Sequence, residues 1–342
     1  MIVGYRQSLT TALSCWLATM AAFALHLDNP WWAAISAWVI ASPDKSAFWQ
    51  KGIMRICGTI IGCVLGYEVA VLLMAKPFLQ AIFFFLIGSG ATYMRFRSKF
   101  GYAWLIGGVA TLLLMSLSIT TPGSLYDFAH YRAYEIACGV VSAMICDALL
   151  RFLLKLEGLP QTNQHKPATP KPSGADQDRL LAAALVGGLT ALLIPLLWSW
   201  LNLPSLAQSL ITVLVLMDLN VDTSRFKGVQ RMIGCFIGGA TGLMATLLTV
   251  ESLSLWSAIF ILGMAGFAWL HLSDSRWAYT GTQGGLAFIM AIVTGNGPPD
   301  TIVPVVNRIL GVMIGVAVFI CIAATVSFCR ARVVTQRIGV SA

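Results

Sequence analysis

Long apolar runs alternate with short polar loops along the whole chain, and this pattern predicts a bundle of membrane helices. A helix needs roughly 20 apolar residues to cross the hydrocarbon core of a bilayer. Most of the runs approach that length, whereas the second and the eighth are short enough to be tilted or broken. The twelve predicted segments lie near 8–27, 31–43, 53–74, 78–94, 102–120, 132–154, 180–200, 205–217, 232–249, 254–271, 278–294 and 305–328.

The composition agrees with a chain that folds in a bilayer. Hydrophobic residues make up 58% of the sequence and charged residues 11%, whereas a soluble domain has about 25% charged residues. The net charge is +8, but the basic residues form no patch interleaved with aromatic ones, so we expect no binding of nucleic acid. The first apolar run is long for the core of a signal peptide, so we expect it to remain as a helix.

The basic residues predict which loops face the cytoplasm, because cytoplasmic loops of membrane proteins carry an excess of Lys and Arg. All but Lys76, Arg132 and Arg308 of the 22 basic residues fall on one side of the predicted bundle. We therefore expect both termini in the cytoplasm. The residues counted on that side are Arg6, Lys45, Lys51, Arg55, Arg95, Arg97, Lys99, Arg151, Lys155, Lys166, Lys171, Arg179, Arg225, Lys227, Arg231, Arg276, Arg330, Arg332 and Arg337.

A polar, proline-rich segment at 157–178, EGLPQTNQHKPATPKPSGADQD, separates two groups of six apolar runs. Such a composition is typical of a flexible linker, and the charge pattern places it in the cytoplasm. We therefore predict a first six-helix half at 1–156 and a second six-helix half with a short cytoplasmic tail at 179–342.

The two halves carry related sequences. The stretch RICGTIIGCVLG at 55–66 recurs as RMIGCFIGGATG at 231–242. We call the spacing from Arg55 to Arg231 the repeat offset. Asp44 and Asp218 also match, at a slightly shorter spacing, which implies a two-residue insertion between the matched features of the second half. These matches predict a parallel duplication.

A fainter repeat lies inside each half. Arg132 begins RAYEIACG, and Arg308 begins RILGVMIG. The spacing from Arg55 to Arg132 equals the spacing from Arg231 to Arg308. Three predicted segments separate the copies, so the later copy enters from the opposite face. Inverted three-helix repeats inside parallel halves are an architecture found in transporters.

Regularly spaced glycines follow the first arginine of each repeat. No strand precedes them, and their spacing lacks the form of a phosphate-binding loop. Small residues on one helix face let backbones approach closely in lipid, so we predict a packing role. The glycines are Gly58, Gly62, Gly66, Gly234, Gly238 and Gly242.

Four short stretches resemble a known family. They are NPWWAA at 29–34, PD at 43–44, RICGTIIGC at 55–63 and RAYEIACGVVSAMICD at 132–147. The chain is similar here to the fusaric acid resistance (FUSC) family, most of all to a branch that exports aromatic carboxylic acids. The resemblance implies an inner-membrane efflux protein, which often works with a periplasmic adaptor of the membrane-fusion type. Larger members carry a sizeable cytoplasmic region where this chain has a short linker.

In that branch an arginine of the last helix of the half precedes a glutamate by three residues and an aspartate by fifteen. Arg132, Glu135 and Asp147 hold those places here. Ionisable groups inside membrane segments are costly and therefore mark function by default. Arg132 could bind a substrate carboxylate while Glu135 takes up a proton, or the two could form a permanent ion pair. Arg308 has Gly311 in the place of the glutamate and so needs an anion or an acid from elsewhere.

Other ionisable residues have weaker assignments. Asp44 with Arg55, and Asp218 with Arg231, could pair across the cytoplasmic loops as gates or as loop supports. Glu68 could bind a proton or face a water-filled cavity.

Asp147 shares the ambiguity of Glu68. Trp31 and Trp32 fit an interfacial aromatic belt, whereas the deeper Trp38 could stack on an aromatic substrate or fill the core. The eight cysteines have no metal-ligand spacing and are expected to be small buried hydrophobic residues. We expect no metal and no cofactor.

These observations predict an all-α integral membrane protein of the bacterial inner membrane that exports small aromatic carboxylates or related amphipathic toxins, driven by proton entry. A passive organic-anion channel and a membrane scaffold of an envelope complex remain alternatives. An enzyme is not expected, because no nucleophile–base pair is present. The expected partners are a small organic anion, membrane lipids, a periplasmic adaptor and a second copy of the chain.

The predicted roles divide the candidate residues into three groups. Arg132, Arg308 and Trp38 are assigned to substrate binding, Glu135, Glu68 and Asp147 to proton coupling, and Asp44, Arg55, Asp218 and Arg231 to helix-end pairs.

Overall fold

The computed structural model describes residues 2–153, 174–249, 252–293 and 302–339, and the regular elements in these ranges are all helical. The helices are α1 (Ile2–Ala24), α2 (Trp31–Ile40), α3 (Lys45–Leu73), α4 (Pro77–Arg97), α5 (Gly101–Thr120), α6 (Leu125–Leu153), α7 (Gly174–Leu201), α8 (Leu206–Leu216), α9 (Val221–Thr249), α10 (Leu253–His271), α11 (Ala278–Ile292) and α12 (Val303–Gly339), with a 3₁₀ turn at Pro122–Ser124. Each predicted segment corresponds to one of these helices.

Eight helices of the described ranges are long and apolar enough to cross a membrane: α3 to α7, α9, α10 and α12. The predicted all-α membrane fold is therefore confirmed. Helices α2 and α8 have 10 and 11 residues and are too short to cross, as their sequences suggested. The layout of twelve spans in nested repeats stays a prediction. Most of the predicted linker lies outside the described residues, and α7 already begins at Gly174.

Contacts divide the chain into two compact units, and each unit takes helices from both sequence halves. Unit 1 comprises Met1–Cys63, Tyr126–Thr169 and Val229–Ile309, and unit 2 comprises Val64–Leu125, Pro170–Gly228 and Leu310–Ala342. In unit 1, α1 packs on α2 and α10, and α10 packs on α11. In unit 2, α7 packs on α8 and α4, and α4 packs on α5. The boundaries 1–156 and 179–342 describe the sequence duplication and stay a prediction.

The core of unit 1 depends on small side chains of α1. Ala12, Cys15, Ala18 and Ala22 recur every three or four residues and are fully buried, so they form one helix face. In lipid, where apolar tails compete with apolar side chains, such small faces gain van der Waals contact by letting helices approach closely. The partner helix α10 places three larger residues, Trp256, Phe260 and Met264, on its buried face, followed by Ala268.

Close contacts in one unit recur in the other at the repeat offset. In each case a Cβ added to the glycine would lie no more than 3.1 Å from an atom of the neighbouring helix. The recurring pairs are Gly139–Ala33 with Gly315–Ser209, Gly52–Val140 with Gly228–Val316, and Gly108–Ala91 with Gly284–Phe267. The left-handed residues after α1 and α7, His26 and Asn202, both with φ 50°, follow the same offset. A parallel duplication produces this pattern.

The helix starts correct one of the sequence matches. Asp44 accepts a hydrogen bond at Oδ1 from the backbone N–H of Ser46 at 2.9 Å. At the repeat offset from Asp44, Asn220 accepts the same bond from the N–H of Asp222 at 2.9 Å. Asp218 accepts a similar bond from the N–H of Asn220 at 3.2 Å, but α3 begins at Lys45 and α9 at Val221. Asn220 therefore holds the position of Asp44 directly before the helix, and the match of Asp44 with Asp218 is wrong. Amide and carboxylate oxygens both cap a helix start. Matching an aspartate with an aspartate therefore selected Asp218, two residues before the true counterpart of Asp44.

Glycine brings the backbones of α9 and α11 into direct contact in unit 1. A Cβ at Gly238 would collide with the carbonyl oxygen of Gly284, and a Cβ at Gly234 would lie 2.5 Å from the carbonyl oxygen of Thr280. Gly242 likewise faces Ala291. On α3, Gly58, Gly62 and Gly66 are all buried, and in unit 2 Gly66 faces the backbone of Thr111.

Replacing Gly238 by alanine should destabilise the protein, because the new methyl group forces α9 away from α11. Overpacking of this kind costs about 1–3 kcal/mol. Gly266→Ala on α10 is the matched control, since nothing lies within 4 Å of its added Cβ and it shares the gain in helix propensity. Equilibrium unfolding in mixed micelles measures both variants. Equal stability of the two would contradict the contact described above.

Candidate functional site

The charged side chains that are buried within the described residues all lie in unit 1. They are Arg55, Arg132, Glu135, Arg231 and Arg308, each at most 5% exposed. Four positive charges thus stand against one negative charge, and a buried charge is costly unless it has a counter-charge or hydrogen bonds. The buried charged side chains of unit 1 are therefore mostly basic, and Arg231 among them has a hydrogen bond to Gln283. Arg55 and Arg231 were expected at the cytoplasmic loops, but the structure buries both of them within α3 and α9.

Arg132, on α6, stacks on an aromatic ring. Its guanidinium carbon lies 3.2 Å from the centroid of the Trp32 ring on α2, and the ring of Phe128 lies 5.6 Å away. In the described part of the chain, the Nε and Nη1 atoms of Arg132 are buried and have no hydrogen-bond partner. A guanidinium that stacks through its face keeps its N–H groups in the plane of the guanidinium for a bidentate acceptor. Arg132 therefore presents donors that a carboxylate can use.

Glu135 lies one helical turn after Arg132 and is 1% exposed. Its Oε1 accepts a hydrogen bond from the backbone N–H of Asn29, in the turn before α2, at 2.8 Å. The ion pairs found among the described residues join Arg151 to Asp147, Arg225 to Asp222 and Lys227 to Asp218, and include neither Arg132 nor Glu135. These two residues interact electrostatically without a direct contact.

A glycine explains why α6 and the start of α2 lie so close together. A Cβ at Gly139, one turn after Glu135, would collide with the carbonyl oxygen of Ala33 in the first turn of α2. This backbone contact puts the ring of Trp32 beneath Arg132 and the N–H of Asn29 beside Glu135. The site is therefore built by one helix face of α6 against the beginning of one short helix.

Sequence reasoning did not predict the roles of Trp32 and Asn29. Trp32 was expected in an interfacial belt, but it is half-buried beneath a charged group. Both residues belong to the NPWWAA motif that carried the family resemblance. The motif itself was therefore the only sequence feature that pointed to these two residues. Helix periodicity could not connect them with Arg132 and Glu135, because it relates only residues of the same helix.

The two predicted helix-end pairs separate in the structure. In unit 2, Asp218 pairs with Lys227 through Oδ2 and Nζ at 2.7 Å. In unit 1, Arg231 donates from Nη1 to Oε1 of Gln283 at 2.8 Å and contacts the hydroxyl of Tyr279 at 3.4 Å. Arg231 was expected to pair with Asp218. In the structure its hydrogen-bond acceptor is instead the side-chain amide of Gln283 on α11.

Arg308 lies near the start of α12 and interacts electrostatically with Arg231. Its Nη1 is 2.9 Å from Sδ of Met290, and a thioether sulfur is a weak acceptor. Arg308 and Arg231 thus form a second basic pair in unit 1, beside the pair of Arg132 and Arg55, which also interact electrostatically.

Trp38 fills the core of unit 1. Its side chain is fully buried, and its Nε1 donates to the carbonyl oxygen of Thr282 at 3.1 Å. The indole stacks on the imidazole of His271, with 5.0 Å between centroids, and faces Gly285. The packing alternative for Trp38 therefore agrees with this geometry better than a substrate contact does. His271 was not among the predicted site residues.

The contacts of the remaining predicted acids do not include Arg132. Asp147 pairs with Arg151 at 2.7 Å, four residues later on α6. Glu68 lies on the exposed side of α3 in unit 2. Asp44 begins α3 through its bond to Ser46. Among the described residues, no group of three or more His, Cys, Asp or Glu could hold a metal ion.

Comparison with protein families decides the relationship of the chain. Residues 5–153 match the fusaric acid resistance protein family, and residues 189–322 match the fusaric acid resistance protein-like family. The chain belongs to the fusaric acid resistance family. The resemblance inferred from the sequence is thus confirmed, and the first match contains Arg132, Glu135 and Trp32.

Curated relatives share part of this family region. The p-hydroxybenzoic acid efflux pump subunit AaeB of Enterobacter cloacae subsp. cloacae is 28% identical over 144 residues, which are 39% of this chain and 22% of the relative. Its namesake from Shigella boydii serotype 4 is 28% identical over 158 residues, 43% of this chain and 24% of the relative. The protein of that name from Escherichia coli O1:K1 is 27% identical over the same shares. The chain therefore spans about a quarter of the length of the curated relatives it matches. No solved structure matches it significantly.

Replacing Gln283 by leucine should lower stability, because Arg231 loses the amide oxygen that it contacts in the core. A hydrogen bond to a charged group contributes about 1.5–3 kcal/mol. Gln283→Glu keeps an acceptor in the same place and is the control variant. Thermal unfolding of the purified protein compares the two. A Gln283→Leu protein as stable as the wild type would contradict a structural role for this bond.

Proposed function

We propose that the protein is a transporter of the bacterial inner membrane that exports small aromatic carboxylic acids in a proton-coupled manner. The observation that carries this proposal is the buried guanidinium of Arg132, which lies on the Trp32 ring at 3.2 Å and has buried N–H donors at Nε and Nη1.

Arg132 supplies the carboxylate contact. A guanidinium binds a carboxylate through two parallel hydrogen bonds, which are stronger than bonds between neutral groups. The surroundings of Arg132 are apolar and aromatic, and electrostatic attraction is stronger where water is excluded. Arg132 interacts electrostatically with both Arg55 and Glu135. When all three groups are ionised, their net charge is positive and attracts an anion.

Trp32 and Phe128 supply the aromatic selectivity. Aromatic rings prefer offset or edge-to-face contact with other rings, worth about 0.5–1.5 kcal/mol beyond burial. If Arg132 holds the carboxylate of an aromatic acid in the plane of its guanidinium, the aromatic ring of that acid lies next to the rings of Trp32 and Phe128. Benzoate-like acids fit this arrangement better than short aliphatic acids, which gain no ring contact.

Glu135 supplies the link to protons. A substrate anion on Arg132 adds a second negative charge near the Glu135 carboxylate, and like charges disfavour each other's ionised form. Substrate and proton therefore bind together during loading. We therefore assign Glu135 to the loading step, in which the substrate anion and a proton bind to the same side of the protein.

The relatives support the same class of function. Their names describe efflux pump subunits for p-hydroxybenzoic acid, which is an aromatic carboxylic acid. The word subunit also supports our proposal that the protein works with a periplasmic adaptor. A homodimer embedded in lipid, with both termini in the cytoplasm, completes the proposal.

A passive organic-anion channel is the second candidate. It is favoured by the four buried arginines of unit 1, because a basic interior attracts anions whether or not a conformational cycle follows. A transporter gives saturable flux, whereas a channel gives a current proportional to voltage.

Replacing Arg132 by glutamine should weaken transport of p-hydroxybenzoate into proteoliposomes by roughly 10- to 100-fold, because about 1.5–3 kcal/mol of charged hydrogen bonding is lost. Arg225→Gln is the matched control, since Arg225 is exposed and contacts only Asp222 at 3.9 Å in the ion pairs described. Saturable flux that survives in the Arg132→Gln protein would contradict the proposed site. A current linear in voltage in the wild type would favour the channel.

Replacing Glu135 by glutamine should remove the pH dependence of substrate affinity, because the amide cannot take up a proton. We expect binding of p-hydroxybenzoate to the wild type to strengthen as the pH falls, since a protonated Glu135 no longer repels the anion. The affinity of Glu135→Gln should then be high and constant. Asp147→Asn, which removes an acid that is already paired with Arg151, should keep the wild-type profile. An unchanged pH profile in Glu135→Gln would remove this residue from coupling.

A further inference from the structure

His271, the last residue of α10, joins three helices of unit 1. Its imidazole stacks on the indole of Trp38 on α2, with 5.0 Å between centroids and 29° between planes. Its Nδ1 lies 2.7 Å from Oγ1 of Thr282 on α11. Trp38 is tied to the same α11 residue, because its Nε1 donates to the Thr282 carbonyl oxygen. Any change in the charge of His271 therefore acts on all three helices.

The hydrogen bonds assign the form of the ring. The Thr282 hydroxyl donates to the carbonyl oxygen of Ala278 at 3.2 Å, so its oxygen is free to accept from an Nδ1–H group. In neutral histidine the other nitrogen, Nε2, then carries a lone pair. This atom is buried and has no hydrogen-bond partner in the described part of the chain. In this tautomer the ring has a lone pair that can take up a proton, and burial and the charge of Lys51 both oppose the charged form.

The duplicated unit has a permanent cation at the same place. Arg95, which the repeat offset relates to His271, lies in the last turn of α4 in unit 2 and donates from Nη1 to the carbonyl oxygen of Leu214 at 2.6 Å. Leu214 is itself the counterpart of Trp38 at the same offset. The last turn of a helix favours a positive charge, because its carbonyl groups have no partners within the helix. The repeated position therefore accommodates a cation in one unit and a titratable group in the other.

The charged surroundings of His271 make its protonation consequential. Lys51 of α3 interacts electrostatically with it, whereas the residues that contact it from α2 and α11, Trp38 and Thr282, do not titrate near neutral pH. A protonated ring gains a cation–π contact with Trp38 but is repelled by Lys51 and lacks an acceptor at Nε2. Protonation thus shifts the balance of forces that hold α2 against α10 and α11.

We propose that His271 is a proton-binding site through which unit 1 senses pH, by changing how α2 packs against α10 and α11. The site goes beyond the proposed function, because it requires neither a carboxylate on Arg132 nor a proton on Glu135. Arg95 shows the same position locked by a permanent charge.

Nuclear magnetic resonance of the full-length protein labelled with ¹⁵N-histidine in nanodiscs tests the site directly. The sequence contains four histidines, and the His271 signal is the one lost in His271→Gln. As the pH is lowered from about 8, we expect the doubly protonated form to appear only near pH 4, because burial and the charge of Lys51 oppose the charged ring. The other three signals should be unchanged in the variant, which shows that the fold is kept. A His271 ring that stays neutral over the whole range would overturn the proposal.

Transport by the Glu135→Gln protein tests the sensing role. The pH dependence of maximal flux that remains in this background should disappear in both His271→Gln and His271→Arg, the latter copying Arg95. His130→Gln is the control, because His130 is exposed and stacks on Tyr126; it should keep that dependence. Titration of His271 with an unchanged flux profile in both variants would overturn the sensing role. Titration without any transport of aromatic acids would reject the proposed function and leave the proton site standing.

Discussion

The contact of Gly139 with the first turn of α2 is the constraint on which the site depends. Because glycine has no Cβ, the backbone of α6 reaches the carbonyl oxygen of Ala33. At that distance a tryptophan ring fits beneath Arg132 and a backbone N–H reaches Glu135. A larger residue would separate the helices and leave a guanidinium and a carboxylate without these neighbours in an apolar interior, where each unsatisfied group costs several kcal/mol. The close packing of α6 on α2 is therefore what allows these two charged groups to be buried.

The duplication explains both the regularity of the fold and the places where it departs from regularity. Glycine contacts, left-handed turns and helix starts all recur at the repeat offset, because packing constrains them in the same way in both units. Charged positions are less constrained and have diverged. Glu135 corresponds to Gly311, and His271 corresponds to Arg95. Unit 2 thus lacks counterparts of these two titratable groups, although it contains the exposed acid Glu68.

Hydropathy predicted where all twelve helices lie, because burial in lipid requires long apolar runs, but it missed the polar ends of α3, α9 and α12, which extend well beyond the predicted segments. The repeat of arginine and glycine was also visible, since it depends on local spacing. The partners of the charged residues were not predictable in the same way. A permanent ion pair of Arg132 and Glu135 was one of two alternatives, because they lie one turn apart. In the structure Arg132 instead contacts Trp32, and Glu135 accepts a hydrogen bond from Asn29. The match of Asp44 with Asp218 failed for a related reason, because a carboxylate and an amide are interchangeable before a helix and only the observed start of α9 reveals the register.

The shortness of α2 has an electrical consequence. Ten residues of α-helix extend about 15 Å, which is half of a hydrocarbon core about 30 Å thick. A charge near the end of such a helix is separated from water on one side by at most half of the insulating layer. If water reaches that end, the membrane voltage falls over the remaining half, and the local field on an ion there doubles. A helix of this length that ends at the midplane and is reached there by water would concentrate the membrane voltage over the other half of the layer, so that a modest potential exerts a larger force on a bound charge.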